Sequence, residues 1–134
     1  MKLTQSSMYA LQSLAWLSSK KHPALSKEIA EDLSISPTYL TKILQTLRLA
    51  GILKATRGKN GGFQLNRSPT SIKLRTVIAL FEDLVPWNFC PFTQTICDGN
   101  PKKPCRLHHR WKKVLTAFDA FVDHSTVADL NHAA

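Results

Sequence analysis

Cys90, Cys97 and Cys105 are the only cysteines in this 134-residue chain. They fall within sixteen residues, spaced Cys-x6-Cys-x7-Cys, and His108 follows three positions after the last. Cysteine thiolates bind soft metals and iron–sulfur clusters strongly. The short Cys-x2-Cys knuckles of common zinc sites are missing, and wider spacing on a loop suits a polynuclear cluster. Three thiols leave one position for another ligand. His108 is one turn from Cys105, whereas His109 faces another side. Lys102, Lys103, Arg106 and Arg110 favour thiolate over thiol. These residues leave three chemistries open: an iron–sulfur cluster, a zinc ion, or thiol redox without metal. The odd cysteine count argues against a structural disulfide. The opening residues lack the pattern of a signal peptide, so a reducing cytoplasm is the expected location.

The charge pattern suggests what such a centre would control. Net charge is +9, and no acidic residue occurs between Asp32 and Glu82. That interval holds Lys42, Arg48, Lys54, Arg57, Lys59, Arg67, Lys73 and Arg75, eight of the 18 basic residues. A phosphate backbone is the natural partner of a basic surface without counter-charge. No apolar run approaches the roughly 20 residues that span a bilayer, so no membrane partner is expected.

The elements that must position these residues are mostly helical. Met8, Leu11, Leu14, Ala15 and Ser18 recur at helical spacing and predict a helix over 3–19. Ser26 is the expected N-cap of a second helix, which carries Ile29, Ala30 and Leu33. After the turn Ser34-Ile35-Ser36, Pro37 suits the first position of a third helix. Leu40, Ile43, Leu44 and Leu47 line its apolar face, and Gly51 stops it. Two helices joined by three turn residues make a helix-turn-helix pattern. Ile52–Thr56 and Phe63–Leu65 then read as a hairpin around Arg57-Gly58-Lys59-Asn60-Gly61-Gly62. The glycines do not form a nucleotide loop, because Gly-Lys-Ser/Thr is absent and no helix follows.

The expected fold is therefore mostly α with a small β-hairpin: a winged helix-turn-helix over 1–84 that carries the DNA-binding function. A fourth helix within it runs from Ser71 to about Leu84. The cysteine segment, 85–104, is expected to be a loop. A long helix over 105–125 carries Trp111, Val114, Leu115, Phe118, Phe121 and Val122, a stripe wide enough for a homodimer seam. The tail, 126–134, is expected to fray.

In a helix-turn-helix the start of the second helix meets base edges. Those positions are Thr38, Tyr39, Thr41, Lys42 and Gln45. Tyr39 has a second role open to it, packing against the first helix. Arg57 and Lys59 on the wing are the candidates for minor-groove contact. No acid/base pair or nucleophile constellation suggests an enzyme.

Several segments together resemble the winged-helix iron–sulfur transcription regulators that include the IscR and NsrR types. They are Leu3-Thr4 with Tyr9-Ala10-Leu11, Ser36-Pro37-Thr38-Tyr39-Leu40, and Leu47-Arg48-Leu49-Ala50-Gly51-Ile52. The wing Arg57-Gly58-Lys59-Asn60-Gly61-Gly62-Phe63-Gln64-Leu65 is similar to the family's Arg-Gly-x-x-Gly-Gly-Tyr-x-Leu. The resemblance extends to about residue 125. It implies a homodimeric regulator of a double-stranded DNA operator, with one cluster per protomer held by Cys90, Cys97 and Cys105. Cys105-Arg106-Leu107-His108 resembles the Cys-x-x-His that completes a 2Fe–2S site in the IscR type. The nitric-oxide-sensing type uses an aspartate where this chain has Met8. The cysteine spacings exceed the IscR pattern, which leaves a 4Fe–4S cluster open, and Thr41 and Lys42 replace that type's acidic residue and glutamine. Two readings stand beside this one: a cluster-free thiol-redox repressor and a zinc-stabilised interaction protein.

Overall fold

The computed structural model describes residues 3–84, 89–90, 95–96 and 105–131. Helix α1 spans Gln5–Ser18, with the Thr4 hydroxyl accepting the Ser7 N–H at 3.2 Å. Its buried residues Ser7, Ala10, Leu11, Leu14 and Leu17 follow the helical repeat. Helix α2 spans Ser26–Leu33. Leu25, not the expected Ser26, is its N-cap, and the Leu25 N–H donates to the Glu28 carboxylate at 3.1 Å. An acidic side chain three residues inside the helix thus replaces a hydroxyl cap. Ser34 ends α2 in the left-handed region, φ 55°, and turns the chain into α3, Pro37–Leu49. Leu40, Ile43, Leu44 and Leu47 of α3 are buried against α1 and α2.

The wing follows as β1 (Leu53–Thr56) and β2 (Gly62–Leu65), antiparallel, with Leu53 opposite Leu65 and Thr56 opposite Gly62. A backbone pair joins it to the loop before α2: Ala24 N–H to Phe63 carbonyl at 2.9 Å, and Phe63 N–H to Ala24 carbonyl at 2.8 Å. Glycine is required at this joint. Gly62 has φ 142°, and a Cβ there would lie 2.4 Å from the Ala24 carbonyl oxygen.

The expected fourth helix is much shorter than its pattern. A 3₁₀ turn covers Pro69–Ser71, and α4 covers only Leu74–Ile78, with Lys73 rather than Ser71 as N-cap. The reason for its late start lies at the far end of the chain. Ile72 is extended and its carbonyl accepts the Val127 N–H at 2.9 Å, while the Leu74 N–H donates to Ser125 at 3.0 Å. Backbone committed to that bridge cannot also be helical.

Within the cysteine segment, expected to be a loop, β3 (Phe89–Cys90) pairs antiparallel with β4 (Thr95–Ile96). The long helix α5 spans His108–His124. The tail does not fray at Thr126 as expected. Val127–Asn131 forms a 3₁₀ helix, Val127 is fully buried, and Asp129 accepts the Thr126 N–H at 2.8 Å. The bridge to Ile72 and Lys73 supplies the long-range contacts that sequence spacing could not reveal. Val122 is likewise fully buried in its own chain's core rather than placed on a seam.

Candidate nucleic-acid interface and cysteine segment

The sequence of α3 separates its two faces. Leu40, Ile43, Leu44 and Leu47 point into the core, which leaves Thr38, Thr41, Lys42 and Gln45 exposed. The Thr41 hydroxyl donates to the Pro37 carbonyl at 2.8 Å, so its oxygen faces outward as an acceptor. The Gln45 carbonyl oxygen accepts from Arg48 at 2.8 Å, which leaves its amide N–H groups to donate. Arg57 and Lys59 are exposed between the wing strands. Arg48 and Arg67 extend this basic exposed set.

Tyr39 stands apart from that row. It is half-buried, its ring meets Tyr9 edge-on with centroids 5.7 Å apart, and its hydroxyl is hydrogen-bonded to Ser6. It fastens the start of α3 to α1. Tyr9 was read only as part of the segment Tyr9-Ala10-Leu11, and Ser6 was not singled out; that both meet Tyr39, some thirty positions away, was not anticipated from sequence.

In the cysteine segment, Cys90 is buried in β3. Cys105 is exposed just before α5, and its carbonyl accepts the His108 N–H at 3.0 Å. Cys105 and His108 thus share one turn. His108 meets the exposed His109 ring edge-on at 5.6 Å. Cys97 lies outside the described residues. Among the described residues, no three His, Cys, Asp or Glu side chains are grouped as a metal site.

The first turn of α5 holds His108, His109 and Arg110 and no acidic residue. The Arg110 guanidinium and the positive end of the helix dipole favour an anionic neighbour, which thiolates supply. The other end of α5 is tied to α4. The Arg75 guanidinium donates to both oxygens of Asp123 and, at 2.9 Å, to Asp119. The hydrogen bond from Arg75 is the main cause holding the Asp123 carboxyl below its ordinary value. The same bonds, Asp123 first and then Asp119, raise Arg75 further.

A family model described as Rrf2, iron-dependent transcriptional regulator, matches residues 3–133. The chain belongs to the Rrf2 family. It is 30% identical over 132 residues to the HTH-type transcriptional regulator IscR of Vibrio atlanticus, covering 97% of this chain and 75% of that one. CymR, the global cysteine regulator of B. subtilis, superposes with a TM-score of 0.82 at 26% identity, covering 100% of this chain and 98% of that one. IscR of T. potens superposes with a TM-score of 0.72 at 27% identity, covering 97% and 85%. This Rrf2 chain is a DNA-binding transcription regulator, not an enzyme. Its winged helix and long C-terminal helix match the solved Rrf2 structures in arrangement. No helix among its described residues is long and apolar enough to cross a membrane.

Proposed function

We propose that this Rrf2 protein is a cytoplasmic, homodimeric regulator whose operator affinity depends on an iron–sulfur cluster held by Cys90, Cys97, Cys105 and His108. One observation carries the reading: Cys105 and His108 share a turn at the cationic N-terminus of α5. That end of the helix favours an anionic thiolate centre. Three thiols and an imidazole also suit iron, and the resemblance to IscR-type regulators supports the same donor set. When bound, the cluster supplies a link that forms and breaks with iron supply, oxidation or nitric oxide.

The protein's own residues read the DNA. Thr38, Thr41, Lys42 and Gln45 face base edges, with Thr41 accepting and Gln45 donating as their internal bonds dictate. Arg57 and Lys59 reach the adjacent minor groove. Tyr39 sets the angle of α3 through the bond between its hydroxyl and Ser6. Val114 and Phe121, 46% and 53% exposed, are the apolar residues of α5 that a second copy would cover. A dimer would hold two recognition helices about one DNA turn apart.

Protein purified without oxygen is expected to be coloured and to contain iron with inorganic sulfide. Cys97→Ala should lose most of both, and His108→Ala should alter the cluster's spectrum and potential. A colourless wild type that binds zinc tightly instead would overturn this reading.

A second reading, a cluster-free thiol-redox repressor, has the exposed Cys105 and the likeness to CymR behind it. It requires iron-free protein to change operator affinity on mild thiol oxidation. The cluster reading requires iron and sulfide for that change.

A further inference from the structure

Helix α4 belongs to the winged domain, where Leu74, Val77 and Ile78 are buried in the core. Arg75 lies among them in sequence but reaches out to α5. Its Nε and one terminal nitrogen donate to the two carboxylate oxygens of Asp123, the second at 3.3 Å. That terminal nitrogen also donates to Asp119 at 2.9 Å. A guanidinium fork holds direction as well as distance, because its donors are fixed in one plane. Asp119 and Asp123 lie one turn apart on one face of α5, about 6 Å along its axis. Two points held on a helix define its tilt.

Other ties between α5 and the winged domain are of a different kind. Val122 is fully buried, the Leu74 N–H donates to the Ser125 carbonyl at 3.0 Å, and the Val127 N–H donates to the Ile72 carbonyl at 2.9 Å. They fix where α5 ends, whereas the fork fixes which way the helix points from there. His108 starts α5 about three turns before Asp119, roughly 16 Å away at 1.5 Å per residue. A tilt of about 10° moves that end by roughly 3 Å, close to the rise of one base pair. Charge also sets Arg75 apart. It belongs to the basic interval between Asp32 and Glu82, yet among the described residues it is the member of that interval paired with carboxylates. Its charge is spent inside the fold rather than offered to phosphate.

We infer that Arg75 is a positioning residue that selects the spacing between operator half-sites. By fixing the tilt of α5 against the winged domain, it fixes the separation and facing of the two recognition helices in a dimer joined along α5. The inference rests on the homodimer reading above and needs no cluster. One base pair added between half-sites moves them apart by about 3.4 Å and rotates one by roughly a tenth of a turn. A clamped α5 tolerates neither change. Without the fork, Asp119 and Asp123 are like charges one turn apart, which repel each other, and the tilt is free to follow the DNA.

The test uses full-length protein and a palindromic duplex that the wild type selects from a random library. The spacing between its half-sites is then changed in steps of one base pair. The wild type should lose on the order of tenfold in affinity for one step either way, part of the roughly 10²-fold or more that linking two half-sites adds. Arg75→Ala should flatten the series to within about threefold. Its affinity for a duplex with a single half-site, its salt dependence and its dimeric sedimentation mass should stay those of wild type. Asp119→Asn keeps the Asp123 pair, guards against misfolding of the first variant, and should flatten the series in the same sense. A wild-type series in both variants overturns the inference. So does an equal loss at every spacing with a salt slope lower by about one, which would make Arg75 a phosphate contact. A wild type that sediments as a monomer, or binds one half-site as tightly as two, overturns the homodimer reading instead, and the inference falls with it for that separate reason.

Discussion

Helices α3 and α5 have comparable apolar spacing in sequence, yet they end up in opposite situations. Leu40, Leu44 and Leu47 of α3 are all 0% exposed within their own chain. On α5 only Val122 is buried; Phe118 is half-covered, and Val114 and Phe121 stay open. The difference is one of anchorage. Helix α3 is enclosed by α1, α2 and the wing, whereas α5 is held near its C-terminal end by Val122, the Arg75 clamp and the Ile72–Val127 bridge. A periodic apolar face shows that something must cover it, and only packing shows whether that cover comes from the same chain.

The largest expected effect tests this contrast directly. Leu44→Ala should cost about 2–5 kcal/mol of unfolding free energy in a denaturant titration, as filled core positions do. Phe121→Ala should change the stability of a dissociated protomer by no more than about 0.5 kcal/mol. Phe121→Asp should shift the mass in sedimentation to that of a monomer. It should also weaken operator binding on the order of 10²-fold, since two half-sites are no longer held together. A Phe121→Asp protein that remains dimeric would place the seam elsewhere, and a Leu44→Ala protein as stable as wild type would erase the contrast.

An intermediate effect separates DNA contact from assembly. Arg57→Ala should reduce operator affinity on the order of tenfold and lower the slope of log affinity against log salt by about one. Its sedimentation mass should not change. A lower mass would tie the wing to the dimer and undo the division between the two regions.

The smallest effect concerns the clamp between them. Asp123 is held below its ordinary value of 3.8 by Arg75. Its contribution is therefore fully present above that value and is lost as pH falls through the lower folded one. Both partners are partly exposed, so the effect is modest. In acid titrations followed by circular dichroism, Asp123→Asn should lower stability at neutral pH and converge with wild type only once the pH falls below the lowered folded value. A constant gap across that range would show that the clamp acts through packing alone.

Legibility in the sequence followed the range of the interactions involved. The exposure of Thr38, Thr41, Lys42 and Gln45 was readable because exposure along one helix follows its repeat. The role of Tyr39 was not settled by that repeat, since a side chain at the edge of the buried face can turn either way. Its choice depended on Ser6 and Tyr9 in another helix. The grouping of the cysteines was readable as composition. The structure puts Cys105 and His108 on one turn, while Cys97 lies outside the described residues.

By itself the sequence determined α1, α2, α3 and the wing, and with them the helix-turn-helix. Spacing of apolar residues, Pro37 at a helix start and glycines at tight backbone positions act over a few residues and need no partner. Only the tertiary structure decided where α4 starts, that the tail docks, that Val122 points inward, and that Glu82 caps a helix 75 residues away. Each of these depends on a backbone group, a carboxylate or an apolar side chain finding a partner far along the chain. Such pairings form only when the folded core brings the two segments together, and no local pattern records them.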